Sequence, residues 1–314
     1  MTAHPSAFSS SAKPRPRGRR IRETPGELLF TAANTLLMLL IAFLSLYPIW
    51  YVLVNSLNDA NNAMLGGIYW FPRLFSVENY KAVFRDATVF RSFSVTTART
   101  VIGTVGSVMF TSMVAYGLSK NGLMLRKLYL TMGTITMFFG GGLIPYFLVL
   151  RGLGLLNNFW VYIIPALFSF YNLLILMSFF RELPPALEES AHIDGAGDFL
   201  IFIRIILPLS TPVLATIALF NGVYHWNDYF SGVMYMTSRT DLEPIQTYLY
   251  RVIAQTSGQD IRSAAGADVA SRSLTTSAAV KLATMVITTV PVVCVYPFLQ
   301  KYFIKGMLIG AIKE

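Results

Sequence analysis

The chain carries a single cysteine, Cys294, and only three histidines among 314 residues. One thiol excludes an internal disulfide and any multi-thiolate metal site, and inside an apolar run its plainest reading is a small packing residue. His4 and His192 fall in a polar tail and a polar connector, so His225 with Asp228 supplies two ligands at most and no metal site is expected. Charge is equally scarce. Charged residues make up 13% of the chain against 54% hydrophobic ones, with mean hydropathy +0.54, which excludes a soluble globular domain of this size. There is no G-x-x-x-x-G-K-[ST] phosphate loop, and Gly152-Leu153-Gly154 does not continue into G-x-G-x-x-G. ATP must therefore be bound by another chain if this one is driven by it. With no clustered acid, base or nucleophile, no catalytic residue and no bound cofactor are expected.

What the chain has instead is long apolar runs. A bilayer core about 30 Å thick needs about 20 apolar residues in a helix, and residues 28–54, 93–118, 128–150, 159–180, 212–236 and 279–303 meet that need. Lipid leaves no partner for free backbone groups, and the alternation of a barrel is missing, so an all-α, polytopic membrane bundle of six transmembrane helices is predicted. The run from Leu28 is far longer than the roughly 7–15 residues of a signal-peptide core, so it should stay as an uncleaved first helix.

The net charge of +9 points to membrane orientation, not to nucleic acid, because six of the 25 basic residues lie between Lys13 and Arg22, just before the first span. The expected division is a disordered basic cytoplasmic tail over 1–26, a transmembrane domain over 27–304 and a cytoplasmic tail over 305–314, with both termini on the cytoplasmic side. Residues 57–92, with Tyr69-Trp70-Phe71-Pro72, and 237–278, rich in Ala, Gly and Ser, then lie outside; the first suits the membrane interface and the Ala/Gly/Ser-rich part of the second reads as mobile.

The connector over 181–211 is the most informative segment, since a charged, glycine-broken element between two spans needs a reason. Pro184-Pro185 suits a helix start, Glu188 and Glu189 fall near the positive end of its dipole, and the helix should run to about Asp194. Gly195 and Gly197 supply positive-φ freedom, Asp198 is placed to cap a second helix, and Phe199, Phe202, Ile203 and Ile206 recur at helical spacing until Pro208 stops it. One apolar side would rest on the bundle and leave Glu188, Glu189 and Asp194 as an exposed acidic tip.

The spacing Glu189-Ser190-Ala191-x-x-Asp194-Gly195, with Leu207-Pro208 thirteen and fourteen residues beyond the aspartate, resembles the EAA loop of bacterial ATP-binding cassette importer permeases. Ser190 stands where the second motif position is alanine, a small-for-small change that should fit the same tight packing. Beyond the loop, Gly66-Gly67-Ile68-Tyr69, Phe75 to Tyr80, Gly142-Leu143-Ile144-Pro145, Gly154-Leu155-Leu156-Asn157, Trp226-Asn227-Asp228 and Tyr302 to Gly306 are similar to the carbohydrate-uptake, maltose-permease-like group and its LplC-type subgroup, associated with complex oligosaccharides. That resemblance implies the type I importer permease fold with a cytoplasmic helix-turn-helix coupling loop. It implies an ATPase dimer holding ATP and Mg, docked on Glu188, Glu189, Ala191, Asp194 and Gly195, a second and unlike permease subunit, and an extracytoplasmic solute-binding protein. It further implies that Glu189 pairs with a basic residue of the ATPase, that Gly195 lets the loop turn in its groove, and that the tail over 305–314 either reaches the ATPase or is a simple tail.

For the path itself, Asn221, Tyr224, His225 and Asp228 recur at helical spacing as a polar stripe on the fifth span. Polar residues at membrane depth face a bundle interior or a cavity, so the stripe either lines the pathway or glues this helix to a partner permease. Trp226 and Tyr229 offer flat faces on which sugars stack. Gly140-Gly141-Gly142 before Pro145 should unwind or kink the third span near its outer half, and the triplet serves either the pathway or close packing; Tyr171 with Asn172 in the fourth span is open to the same two readings. Other functions considered are import of a non-sugar solute and ion-coupled secondary transport with Asp228 and His225 as the relay, against which no internal repeat is visible.

Overall fold

The computed structural model describes residues 24–63, 66–120, 122–264, 280–295 and 297. The expected N-terminal disorder, the mobile stretch of 265–279 and the role of the tail over 305–314 all fall outside them. The described chain divides into two units, Met1–Trp50 and Tyr51–Glu314. The first contains most of α1 (Pro25–Ser56), a 32-residue helix of hydropathy 2.3 that is long and apolar enough to cross a membrane.

In the second unit, α2 (Ala60–Ala63) and α3 (Glu78–Arg85) form a small knot after α1. Asn79 ties it: its amide donates to the carbonyls of Ser56 at 2.9 Å and Asn58 at 2.8 Å, while Tyr80 and Ser56 share a hydroxyl hydrogen bond of 2.7 Å. Backbone groups outside regular structure need such partners when buried. Next comes α4 (Ala87–Ser119), 33 residues and so about 50 Å long. Asp86 caps its first turn by accepting the Thr88 N–H at 2.8 Å and also accepts the Tyr248 hydroxyl at 2.9 Å. Burial opposes the charge on Asp86, but these hydrogen bonds outweigh it and hold the carboxyl below its ordinary range.

The third predicted span is not one rod. Helices α5 (Arg126–Phe138) and α6 (Leu143–Gly152) meet at 118° across the glycine triplet, where Gly142 takes φ +81. The expected break at Gly140 to Gly142 is present, and the triplet is not closely packed within the subunit: a Cβ on Gly140 or Gly142 would meet nothing. Two short turns over 159–166 lead into α7 (Phe170–Glu182) with a 47° bend. Helix α8 (Pro185–Ile193) follows, then α9 (Asp198–Ile201), a π turn over Phe202–Ile206 and α10 (Leu207–Leu209). An 83° bend at Ser210 starts α11 (Thr211–Asn227), and α12 (Phe230–Tyr235) closes the fifth expected span.

Two expectations need correction. Residues 245–264, read as part of an outer loop whose Ala/Gly/Ser-rich part is mobile, form α13 (Ile245–Ala264), because Ile245, Tyr248 and Val252 repeat at helical spacing and pack with Val83, Val89 and Ala283. Pro208 does not stop its helix. The turn before it widens so that the Leu207 N–H reaches the Phe202 carbonyl, and the chain runs on through the proline to Leu209. The last described helix, α14 (Val280–Val295), is apolar but short within the described residues. No strand occurs among them; one isolated bridge joins Asn58 and Phe75. Two helices are by themselves long and apolar enough to span a membrane, and up to five spans result if each bent pair counts once.

Candidate docking hairpin and transport path

Helices α8 and α9 make a helix, tight turn and helix. Pro184 and Pro185 open α8, where a missing amide donor costs nothing. Gly195 ends it in the left-handed region at φ +81, a conformation side-chain-bearing residues adopt only with strain. Gly197 takes φ −79 and ψ 159, ordinary extended backbone, so only one of the two glycines is needed for the turn. Asp198 is the first residue of α9 and not its cap; its side chain makes no capping hydrogen bond. It lies instead 3.9 Å from the Lys120 ammonium and 3.5 Å from His192 Nε2.

The buried side of the hairpin is Ala191, Ile201, Phe202 and Ile206, packed on Tyr116, Leu173, Leu176 and Phe180. Phe199 and Ile203 of the predicted apolar row are exposed, while Phe202 and Ile206 are buried. Ser190 is exposed as well, and its hydroxyl returns to the Ala186 carbonyl at 2.7 Å. Ala191, expected to dock a partner, is 8% exposed and belongs to the subunit's own core.

The two adjacent glutamates part company. Glu188 turns inward to an ion pair with Lys120, at the end of α4, whereas Glu189 stays exposed with Asp194, Gly195 and Ile193, the last 86% exposed. Burial opposes the charge on Lys120, but hydrogen bonds with Glu188 and Tyr116 win and raise its pKa above the ordinary lysine value. A raised lysine pKa stabilises wherever the unfolded chain would also be protonated and is lost only as pH climbs through the folded value, so the lysine side of this pair persists across neutral pH. An acidic tip made of all three carboxylates is therefore corrected to Glu189 and Asp194.

The fifth-span stripe also resolves residue by residue. Asn221 accepts the Ser107 hydroxyl at 3.1 Å, His225 is fully buried against Gly103, and Asp228 pairs with Arg99. Within the subunit these three join the region of α11 to α4. Trp226 is likewise engaged, donating its indole N–H to the Thr288 carbonyl at 3.0 Å and meeting Phe93 edge-on at 5.5 Å. Tyr224 is 55% exposed and meets the His225 ring edge-on at 5.4 Å, Tyr171 is exposed and Asn172 is buried. Tyr229 stacks on Tyr250 at 5.1 Å.

Arg99 is the residue that the sequence reading missed. Fully buried in α4, it donates to the Asp228 carboxylate at 2.7 Å and to the Asp228 carbonyl at 3.1 Å, and its guanidinium lies 4.6 Å over the Tyr162 ring. Asp228 also accepts the Ser231 N–H at 3.1 Å, and Tyr162 donates to the Leu242 carbonyl at 3.1 Å. One cation thus fixes the break between α11 and α12. The signal was present: an arginine inside a predicted span requires a partner, and Asp228 was the acid at comparable depth.

Comparison with known proteins places this architecture. The profile of the family described as binding-protein-dependent transport system inner membrane component matches residues 103–309. The chain is 37% identical over 276 residues to the polygalacturonan/rhamnogalacturonan transport system permease protein YtcP of Bacillus subtilis (strain 168), covering 88% of this chain and 95% of that protein. Its identity to protein LplC of the same organism is 38% over 293 residues, covering 93% and 98%. In structure it is similar to a chain of a bacterial ABC transporter involved in the import of the acidic polysaccharide alginate, with TM-score 0.80, 29% identity, and 90% of this chain and 99% of that chain covered. The chain belongs to the family of binding-protein-dependent transport system inner membrane components. It is a permease subunit of an ATP-binding cassette importer, a transport component and not an enzyme. Ion-coupled secondary transport through Asp228 and His225 is thereby set aside, and Asp228 is in any case held by Arg99.

Proposed function

We propose that this subunit forms, with a second and unlike permease, the path by which an oligosaccharide handed over by a solute-binding protein crosses the inner membrane. The observation that carries the reading is the hairpin: α8 and α9 rest an apolar side on the subunit and leave Glu189, Asp194 and Gly195 together at an exposed turn. In this reading the turn lies in the cytoplasm and seats an ATPase, six spans bring both termini to that side, and ATP with Mg belongs to the ATPase dimer. Movement of the docked hairpin reaches the spans directly, since α7 enters it and α11 leaves it. Carbohydrate as cargo is supported by the names of the relatives, which move polygalacturonan, rhamnogalacturonan or alginate. Tyr224 and Tyr171 are the proposed path contacts.

Uptake by cells lacking this chain tests the proposal. Entry of labelled oligogalacturonate or another plant-wall oligosaccharide is expected to fall to background and to return with the wild-type chain, while monosaccharide and amino-acid uptake stay unchanged. With Tyr224→Ala, uptake is expected to fall several-fold at unchanged protein level. Unaltered oligosaccharide uptake across the panel, with loss of an amino acid or metal instead, would overturn the carbohydrate assignment.

A further inference from the structure

Lys120 is not among the residues that the hairpin motif accounts for, yet it touches both arms. Sitting just past the end of α4, its ammonium pairs with Glu188 on α8, lies 3.9 Å from Asp198 at the start of α9 and stands 4.2 Å over the Tyr116 ring. Tyr116 in turn stacks on Phe202 at 5.3 Å and meets Phe180 edge-on at 6.4 Å. Helices of nine and four residues cannot hold an orientation in water by themselves. Burial of Ala191, Phe202 and Ile206 keeps the hairpin folded, but an apolar contact is non-directional and leaves the arms free to rock. The ion pairs supply the direction.

We propose that Lys120 is a positioning residue for ATPase docking: by holding Glu188 and Asp198 at once, it presets the angle at which the hairpin offers Glu189 and Gly195. The inference rests on the docking reading above. A preset surface binds more tightly because less ordering remains to be done on association. It also explains why two neighbouring glutamates differ, with Glu188 spent on the internal clamp and Glu189 left outward.

The test uses the complex recovered from native membranes, stripped of its ATPase and rebound to the same purified ATPase. Lys120→Met and Glu188→Gln are each expected to weaken rebinding about five-fold at low salt, through faster dissociation, while permease melting temperature and yield stay at the wild-type level. The double variant is expected to be no worse than Lys120→Met, because without the lysine Glu188 has already lost its partner, and Lys120→Arg is expected to restore binding. At high salt the wild type should approach the variants, as screening removes the pair. Wild-type rebinding by Lys120→Met at low salt would overturn the proposal. So would a fall in melting temperature that tracks the loss of binding, since that marks a merely structural contact. If the wild-type chain itself recovers and rebinds no ATPase, the docking reading falls first and takes the clamp with it.

Discussion

Replacing Arg99 with alanine is expected to destabilise the subunit by about 3–5 kcal/mol, because it strands the Asp228 carboxylate, 12% exposed, in an apolar interior. That is a large share of the roughly 5–15 kcal/mol that holds a typical protein folded. Loss of folded, monodisperse protein from detergent extracts should follow, read as a lowered melting temperature or as aggregation on size exclusion. Arg99→Lys should be intermediate, since a single ammonium cannot make the forked contact to both the carboxylate and the carbonyl of Asp228. Combining Arg99→Met with Asp228→Asn should recover much of the loss: no buried charge remains, and the asparagine oxygen still accepts the Ser231 N–H. An Arg99→Ala protein that melts with the wild type would show that the pair does not hold α4 to the break between α11 and α12.

The second large effect is steric. A Cβ added to Gly103 would lie 2.3 Å from His225 Nε2 and 2.5 Å from Cε1, and His225 is fully buried. The imidazole has nowhere to retreat, so Gly103→Ala is expected to cost about 1–3 kcal/mol by overpacking and to prise α4 from α11. Adding His225→Ala should relieve the clash, leaving the double variant more stable than Gly103→Ala alone. Gly222→Ala is the control on the facing helix, where the nearest atom is Thr104 Oγ1 at 3.7 Å, and it should be tolerated. Additive losses in the double variant would contradict the contact as described.

These two sites show what could be read from residues alone. Long apolar runs give helices in lipid because nothing else satisfies the backbone, so the helical class and the break at Gly140 to Gly142 were legible. The hairpin was legible too, since proline at a helix start and Gly195 at a left-handed turn are local requirements. Helical spacing gives a face but not the neighbour that the face meets. Asn221, His225 and Asp228 do share a stripe, yet what they meet is α4, through Ser107, Gly103 and Arg99, residues more than a hundred positions away. The same limit hid the partners of Glu188 and Ala191 within the subunit, which lie on α4 and in the core beneath the hairpin. The π turn at Phe202–Ile206 was invisible because it arises from how the chain accommodates Pro208, not from the periodicity of its apolar residues.

The central claim is that the exposed turn of α8 and α9 receives an ATPase, and the direct measurement is the recovery of partners with the tagged chain from its native membranes. Wild type, Glu189→Ala and Gly195→Asp are compared, with every co-purifying protein identified and quantified. An ATPase and a second permease are expected with the wild type, and loss of the ATPase but not of the permease with either variant. Glu189 is exposed and forms no part of the subunit's core, and a Cβ on Gly195 meets nothing, so the helices above should stand while the turn fails. Recovery of the wild-type chain alone, or an ATPase that stays bound to both variants, would contradict it.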